Sequence, residues 1–409
     1  MVSSKKVKIF FVFIFVTFIL FISCDNGTPP DDEHINYAII EKLKNIVTRD
    51  LVVFESSSFP PSTINSLTEY KAIIFGELHT IGEERELVSN LATKLADKGI
   101  KTEICLESPN AYNWVYEKFS IGEISELPDW ANYNLRSRAI LDSVIKYNSV
   151  NDNKVKIKCI DANIQPHFFS NSFKGLAEYM SDNKLLTEYR NNFPNYSANN
   201  YFDELLSFKN ILAKNPEIIG LTKEDDEFNI LTRMLDDEII SVNIRTNWQT
   251  DYLTSFSSRE NIIKANAEYH LSNNDGTIIF YFGCAHAQKK SFIGSDVEWL
   301  ADYLYNRNTI TIGRTISIVG VPLKGEIINS SNTDTFNFDL VTQSRADDLF
   351  RIVGEINSND YSWLALSDPV FSENKIRAKY IYSNYEIEAP LKEQYDAFIF
   401  IPNGTYAGW

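Results

Sequence analysis

The sequence predicts an α/β protein with a mostly parallel central sheet flanked by helices, and three observations support this. Between residues 71 and 160, apolar runs of strand length alternate with amphipathic stretches of helical length. Two apolar runs, at residues 73–75 and 278–282, are rich in Ile and Phe and lack the alternation of half-exposed strands, as is typical of buried parallel strands. The chain of 409 residues is 44% hydrophobic, which is ample for a large core.

The first half of the chain has a regular order of elements. In the second predicted helix, Leu87, Leu91 and Leu95 recur every four positions, and Gly99 follows where helices commonly end. The order strand, helix, strand, helix, strand implies right-handed crossovers and therefore parallel strands. The predicted helices are residues 39–47, 83–98 and 135–147, and the predicted strands are residues 71–75, 100–106 and 155–160.

The second half begins with a long insertion. Residues 173–256 are helix-like, charged and Asn-rich, which predicts a helical cap over the edge of the sheet. Ser257 and Glu260 have the spacing of a capping box, so a further helix is predicted from residue 257 to 271. We expect a C-terminal strand-rich extension within the same domain, which spans residues 36–402. The remaining predicted elements are a helix at 297–305 and strands at 278–283, 309–319, 363–366, 376–382 and 397–401.

The N-terminus has the features of a secretion signal. Three lysines precede an apolar stretch at residues 9–22 that is short for a membrane span, and Ser23-Cys24 follows. This pattern is similar to a bacterial lipoprotein signal peptide of residues 1–23, with lipid attached to Cys24 after cleavage. A plain secretory signal or an N-terminal anchor is the alternative. Residues 24–35 are polar and contain prolines, which predicts a tether.

Charge and cysteine content exclude several classes of protein. Removal of the three signal lysines takes the formal net charge from −16 to −19, which argues against nucleic acid as a partner. Three cysteines besides Cys24 remain, Cys105, Cys159 and Cys284, in or beside predicted core strands. An odd number cannot form a complete disulfide framework, so buried thiols are expected, and no Cys-x-x-Cys indicates a structural zinc site.

Two short stretches share one pattern that predicts a functional site. Residues 73–79 and 278–286 are each an apolar run ending in Gly-x-x-His, which places His79 and His286 just past a strand. We expect the glycine to let the backbone turn there. Ligands bind at this C-terminal edge of open parallel sheets. The chain has only five histidines, and Glu77 accompanies the first of these two, so a site is favoured over two structural histidines.

Carboxylates end the other predicted strands, Glu107 the second and Asp161 the third. With Glu77, His79 and His286 they would face one rim of a parallel sheet. A neutral imidazole there can take a proton from water, with a carboxylate fixing its tautomer, and the same residue types ligate zinc, manganese or iron. The structural alternatives are that Glu77 is satisfied by backbone donors, Asp161 caps the next turn, and Glu107 is a turn residue.

Arg259 would lie at a helix start, where its charge is mildly unfavourable to the helix dipole. This position suggests another role, such as gripping a carboxylate or a substrate oxyanion, although a solvated arginine is the alternative. His34, His167 and His270 lack a supporting context, and we expect them to be structural.

Four motifs together resemble one superfamily, which joins erythromycin esterases, ChaN-type haem-binding lipoproteins and Tiki-type proteases. Residues 76–79 with 106–107 look like its opening, residues 259–266 resemble its Arg-Asp-x-x-Met-Ala-x-Asn helix with Ile263 in place of Met, and residues 283–286 are similar to its second His motif.

Other features favour individual branches of that superfamily. Residues 308–313 are like a late Ile-Gly strand of the esterases, and residues 395–401 are like their closing Asp-Ala strand. Erythromycin esterases place two residues between the first Glu and His, whereas only Leu78 stands there in this chain, which is closer to the ChaN pattern.

The resemblance implies three functions for one rim. In an esterase, His79 would activate water without a metal, with Glu77 and Glu107 polarising it and His286 and Arg259 completing the site. In a protease-like relative, His79, His286, Glu77 and Glu107 would hold a divalent metal. In a ChaN-like relative the rim would bind haem and catalyse no hydrolysis.

The esterase is the leading hypothesis, and it implies a small-molecule substrate and no cofactor. The haem-binding module is the alternative. The signal at Cys24 predicts that the protein is anchored by lipid in the bacterial cell envelope and faces away from the cytoplasm.

Overall fold

The computed structural model describes residues 35–79, 81–132, 135–180, 182–290, 297–328, 335–378 and 388–407. The predicted signal peptide, Cys24 and nearly all of the tether lie outside these ranges. Within them, no helix is both long enough and apolar enough to cross a membrane.

An eight-stranded sheet forms the centre of the molecule and confirms the predicted α/β class. Its strand order is β1-β9-β12-β6-β2-β5-β3-β4. The pairs from β12 to β4 are all parallel, and β9 runs antiparallel to both of its neighbours. The strands are β1 Val52–Phe54, β2 Ala72–Glu77, β3 Thr102–Pro109, β4 Lys156–Asp161, β5 Thr277–Gly283, β6 Thr315–Pro322, β9 Tyr361–Ala365 and β12 Ala397–Ile401, besides the outlying pairs β7 Lys324–Ile328 with β8 Thr335–Asp339 and β10 Ile376–Arg377 with β11 Glu388–Ala389.

Helices cover the sheet and link its parallel strands. The helices are α1 Tyr37–Asp50, α2 Pro61–Leu67, α3 Gly82–Asp97, α4 Asn113–Ser120, α5 Leu135–Asn148, α6 His167–Tyr179, α7 Lys184–Asn192, α8 Tyr201–Lys214, α9 Asp226–Asn247, α10 Tyr252–Asn273, α11 Leu300–Asn306, α12 Leu340–Gln343, α13 Leu349–Ile356, α14 Val370–Glu373 and α15 Leu391–Gln394. Every residue of β2 and β5 is buried, as expected for central strands covered on both faces. The sheet therefore holds the two Gly-x-x-His motifs side by side.

Two predicted element boundaries are wrong. Helix α10 begins at Tyr252, where the Asp251 carboxylate accepts a hydrogen bond from the Thr254 amide, so Ser257 and Glu260 lie inside the helix and form no capping box. Strand β6 begins at Thr315 because the preceding residues form a turn that includes Gly313 at a φ of 72°. The segment resembling a late Ile-Gly strand is thus a turn that leads into a strand.

The insertion is helical and lies against the sheet edge at β3 and β4. Asn110, directly after β3, donates a hydrogen bond of 2.6 Å to Asp237 of α9. The Asn163 amide, two residues after β4, donates to Ser241 of the same helix at 3.0 Å. These contacts place α9 at the C-terminal ends of the two strands that carry Glu107 and Asp161. Coverage of His79 and His286 by the insertion stays a prediction.

Candidate functional site

Strands β2 and β5 bring the two histidine motifs together at the C-terminal edge of the sheet. They pair in parallel with Glu77 opposite Gly283. His79 follows β2 by two residues, and His286 lies in a short 3₁₀ turn, Cys284–Ala287, that follows β5 directly. The sequence pattern thus places both imidazoles at one edge, where open parallel sheets bind ligands.

Glu77 holds the His79 imidazole through Nδ1. Its Nδ1 lies 3.0 Å from Glu77 Oε1, a fully buried side chain, and 14% of the His79 side chain remains exposed. A carboxylate accepts, so Nδ1 carries the proton and Nε2 has the lone pair. Nε2 lies 4.0 Å from Glu107 Oε2, which is too far for a direct hydrogen bond but suits a bridging water.

His286 is held through both ring nitrogens and is more deeply buried, with 5% of its side chain exposed. Its Nδ1 lies 3.1 Å from Glu260 Oε1, and its Nε2 lies 3.6 Å from Glu107 Oε1. Burial opposes a charge on the ring, but Glu260 and Glu107 outweigh it and raise the pKa of His286 to about 10. His286 is therefore an imidazolium at neutral pH.

Glu107 is the centre of the site and is positioned by a bulge in β3. The register with β4 steps from Leu106–Cys159 to Pro109–Asp161, so β3 contains one residue more than its partner. Its Oε2 accepts a hydrogen bond of 2.9 Å from the Gly283 amide. Burial alone would raise the pKa of Glu107, but His79, His286 and Arg259 together hold it well below its usual range.

Arg259 clamps two carboxylates. It lies about two turns inside α10, which begins at Tyr252, so the expectation that it stands at a helix start is wrong. It donates from Nε and Nη2 to Asp161 at 2.8 and 2.7 Å, and from Nη2 to Glu107 Oε1 at 2.7 Å. Although burial disfavours the guanidinium charge, Asp161 and Glu107 raise the pKa of Arg259 well above its usual value. Asp161 also accepts from the Ala162 amide at 2.7 Å, so both of its predicted roles are present.

The glycines of the two motifs serve close approach rather than a turn. Neither Gly76 nor Gly283 has a positive φ, so the expectation that they let the backbone turn is wrong. A Cβ on Gly283 would lie 2.8 Å from His79 Cε1, and a Cβ on Gly76 would lie 2.8 Å from Ala287 Cβ. Each glycine thus makes room for the other motif, and the two motifs interlock.

Two buried glutamates complete the site and were missed in the sequence. Glu260 holds His286, and Glu84 of α3 accepts a hydrogen bond of 2.8 Å from the Leu78 amide, between Glu77 and His79. Burial and the neighbouring Glu77 raise the pKa of Glu84 well above its usual range, which favours its neutral form.

A sequence signal for these two residues existed. Each stands in line with the apolar stripe of its own helix. Glu84 precedes Leu87, Leu91 and Leu95, and Glu260 precedes Ile263, Ala267 and Leu271, all of which are buried. A carboxylate in line with the apolar stripe of a helix is therefore expected to be buried.

The remaining histidines and cysteines lie apart from this chemistry. Burial, with Glu84 and Glu77 adding to it, raises the pKa of the Cys284 thiol to about 12, so it is no thiolate nucleophile. Cys105 and Cys159 are buried in core strands, as expected. Burial lowers the pKa of His270 well below its usual value, as suits a neutral core histidine. His34 lies outside the described residues.

The donor set of the site fits a divalent metal in type but not in charge. One ligand atom from each of Glu77, His79 and Glu107 lies within 4.8 Å of the others, which is a set that zinc or manganese accepts. However, the two Glu107 oxygens already accept hydrogen bonds, one from Arg259 and one from the Gly283 amide, and the charged His286 lies beside them. Two cations at Glu107 would repel a third, so the arrangement favours chemistry without a metal.

Comparison with known proteins shows the fold. No family model matches the chain, and no curated protein matches its sequence. A solved structure of a Bacillus cereus protein aligns with a TM-score of 0.69 at 12% identity, covering 91% of this chain and 99% of its own. A succinoglycan biosynthesis protein aligns with a TM-score of 0.70 at 11% identity, with the same coverages.

An erythromycin esterase mutant in its open conformation aligns with a TM-score of 0.62 at 13% identity, covering 88% of this chain and 98% of its own. ChaN of Campylobacter jejuni with cofacial haem is a partial match, at a TM-score of 0.28. The expected α/β fold, shared with an erythromycin esterase over most of both chains, is therefore the fold of this protein.

Proposed function

We propose that this protein is a hydrolase of ester bonds in which His79 is the general base. The observation that carries the proposal is the orientation of His79. Glu77 holds the Nδ1 proton, and the basic Nε2 is directed toward the sheet edge across a 4.0 Å gap from Glu107. A general base needs this arrangement of a fixed tautomer and a lone pair aimed at water.

The reaction follows from the two ring nitrogens of His79. A water in the gap between His79 Nε2 and Glu107 Oε2 attacks the ester carbonyl carbon, and its proton moves to Nε2. The tetrahedral intermediate then collapses by breaking the bond between the carbonyl carbon and the alkoxy oxygen. The proton on Nε2 passes to the leaving alkoxide, which restores the neutral imidazole and gives an acid and an alcohol.

His286 has a different role in this proposal. As a buried imidazolium between Glu260 and Glu107 it balances the negative charge of Glu107, so it is a positioning residue for that carboxylate. Arg259 is a positioning residue, because its donors hold the carboxylates of Asp161 and Glu107. The similarity to an erythromycin esterase supports the reaction class, while the ester itself follows from neither fold nor site.

The site of action is proposed from the N-terminus. The lipoprotein-like stretch ending at Cys24 supports a protein anchored by lipid in the bacterial envelope, with the hydrolase on a tether. Mass spectrometry of the protein from a bacterial membrane fraction tests this. We expect an N-terminal Cys24 carrying fatty acid, and an unmodified signal segment would contradict the anchor.

The test of the hydrolase is a single substitution in the full chain. Wild type and His79→Gln are screened with a panel of esters and lactones. Loss of the general base should lower turnover by about 100- to 10,000-fold. His167→Gln is the matched control, since His167 begins α6 and its ring packs against Phe168. Hydrolysis of any active ester at wild-type rate by His79→Gln would overturn the assignment.

Metal-assisted hydrolysis is a second candidate, favoured by the close donor set of Glu77, His79 and Glu107. Dialysis of an active preparation against a chelator separates the two mechanisms. Unchanged turnover supports the imidazole base, whereas loss that added zinc or manganese restores would establish the metal. Titration with haemin provides the corresponding test of the haem-binding alternative, for which a shift of the Soret band is the expected sign.

A further inference from the structure

We infer that an aromatic strip beside the site binds the aryl ring of an ester substrate. The strip consists of Trp299, Phe256, Tyr252 and Trp248, and the inference rests on the proposed ester hydrolysis. It specifies the substrate class, which neither the fold nor the acid–base residues determine.

The strip begins at the imidazole of the site. The centroid of the Trp299 ring lies 5.1 Å from that of His286, and the Phe256 ring lies 5.3 Å from Trp299. Tyr252 follows at 5.6 Å and Trp248 at 5.2 Å beyond it. Trp248 also lies 6.3 Å from Phe256, so the rings of Trp248, Tyr252 and Phe256 form a cluster that Trp299 joins to the site, at distances typical of aromatic contacts.

Helix α10 links the row to the acid–base residues. Tyr252, Phe256 and Arg259 are spaced four and three residues apart, so they share one face of the helix. The Arg259 guanidinium lies 5.9 Å from the centre of the Phe256 ring. One helix face therefore carries both the clamp on Glu107 and the middle of the strip, which places the strip next to the acid–base residues.

The outer end of the strip is open, and its exposed surface is apolar. Tyr252 is 37% exposed and its neighbour Leu253 is 58% exposed. The indole nitrogens of Trp248 and Trp299 are buried from solvent, so the accessible parts of these rings are carbon. Such a surface offers ring contacts and few hydrogen bonds, which suits an aryl group better than a polyhydroxylated sugar.

Trp248 is anchored to a small apolar cluster of its own. It packs against Ala162, Ile244 and Ile262, which form a group separate from the main core at the end of β4. This support fixes the outer ring of the strip to the sheet edge, and a fixed ring loses less entropy when a ligand stacks on it.

Binding of 2-acetonaphthone, a neutral ketone that no esterase can hydrolyse, tests the strip in the full chain by calorimetry. Wild type should bind it more tightly than 1-(decahydronaphthalen-2-yl)ethanone, which has the same carbon skeleton but no aryl ring. Tyr252→Ala should weaken binding by roughly 2- to 10-fold, the size of an aromatic pair contact. Tyr269→Ala is the matched control, since Tyr269 is 39% exposed on the same helix, about 25 Å further along, and should bind as wild type.

The outcomes separate this inference from the proposed function. Equal affinity of the two ketones, or of Tyr252→Ala and wild type, would overturn the aryl subsite even if esters are hydrolysed. Selective, Tyr252-dependent binding without hydrolysis of any ester would retain the subsite and remove the hydrolase.

Discussion

The two Gly-x-x-His motifs are alike in sequence, yet they hold their imidazoles in different surroundings. His79 has one carboxylate at Nδ1 and keeps 14% of its side chain exposed. His286 has carboxylates facing both nitrogens, is 5% exposed and has the Trp299 ring against it. The comparison shows that the end of a strand determines the position of a histidine but not its surroundings. The residues of the helices packed against the sheet edge determine whether the imidazole can exchange a proton or stays protonated.

The largest contrast should appear when each histidine is replaced by glutamine. His286→Gln leaves Glu260 and Glu107 buried with a cation removed, which typically costs about 3–5 kcal/mol of unfolding free energy. His79→Gln should cost less, about 1 kcal/mol, because the glutamine amide can still donate a hydrogen bond to Glu77. Urea unfolding of both variants measures this. Equal costs would show that the two surroundings do not differ.

Substitution of the interlocking glycines should separate activity from stability. The Gly283→Ala methyl would meet the His79 ring, and misplacement of the base by about 1 Å can cost on the order of 100-fold in turnover. The Gly76→Ala methyl would meet Ala287 and the backbone of Cys284, so the expected loss is about 1–3 kcal/mol of stability from overpacking. Ester turnover and thermal unfolding of both variants test the pair, and a fully active Gly283→Ala would contradict the placement of His79.

The pH dependence of stability should differ between wild type and His286→Gln. The pKa of His286 is raised to about 10 in the folded protein, above the unfolded value of about 6.5. Its contribution is therefore fully present below about pH 6.5 and is lost as the pH rises towards 10. Over that window wild type should lose up to about 1.4 kcal/mol per pH unit relative to His286→Gln. If the stability of wild type and of His286→Gln changed in parallel from pH 7 to 9.5, the proposed charge on His286 would be contradicted.

Glu84 should give the smallest effect. Because burial and Glu77 raise its pKa well above the usual range, the neutral acid is favoured, and Glu84→Gln keeps both its shape and the acceptor for the Leu78 amide. We expect a change within about 1 kcal/mol, whereas Glu84→Ala should cost about 1–3 kcal/mol by leaving that amide unsatisfied. Chemical unfolding near pH 7 compares the two, and a larger loss in the glutamine variant would indicate an ionised Glu84.

The sequence predicts the sheet and its edge well, because both depend on local patterns. The apolar runs of β2 and β5 are buried throughout, and the residues at their ends share one rim. Local sequence patterns do not predict short or irregular features of the sheet. β1 has only three residues and is held by its pairing with β9, and the bulge at Glu107 arises from the register with β4.

The structure brings the predicted residues Glu77, His79, Glu107, His286 and Arg259 together, but the sequence did not predict which of them contact one another. Glu260 was interpreted as part of a capping box, because the earlier Asp251 cap that starts α10 was overlooked. Glu84 lies in line with the buried leucines of its helix, so its burial follows the helical period. Pairings between elements distant in the chain, such as Arg259 with Asp161, depend on packing that no local pattern records.

The central claim is that His79 exchanges a proton whereas His286 stays charged. The protonation state of His286 tests this claim most directly. The chain has five histidines, so ¹⁵N NMR of histidine-labelled protein can resolve each ring, with His286→Gln assigning its signals. Held by Glu260 and Glu107, His286 should remain an imidazolium at pH 8 and titrate only near pH 10. Neutral-ring nitrogen shifts for His286 at pH 7 would contradict the account.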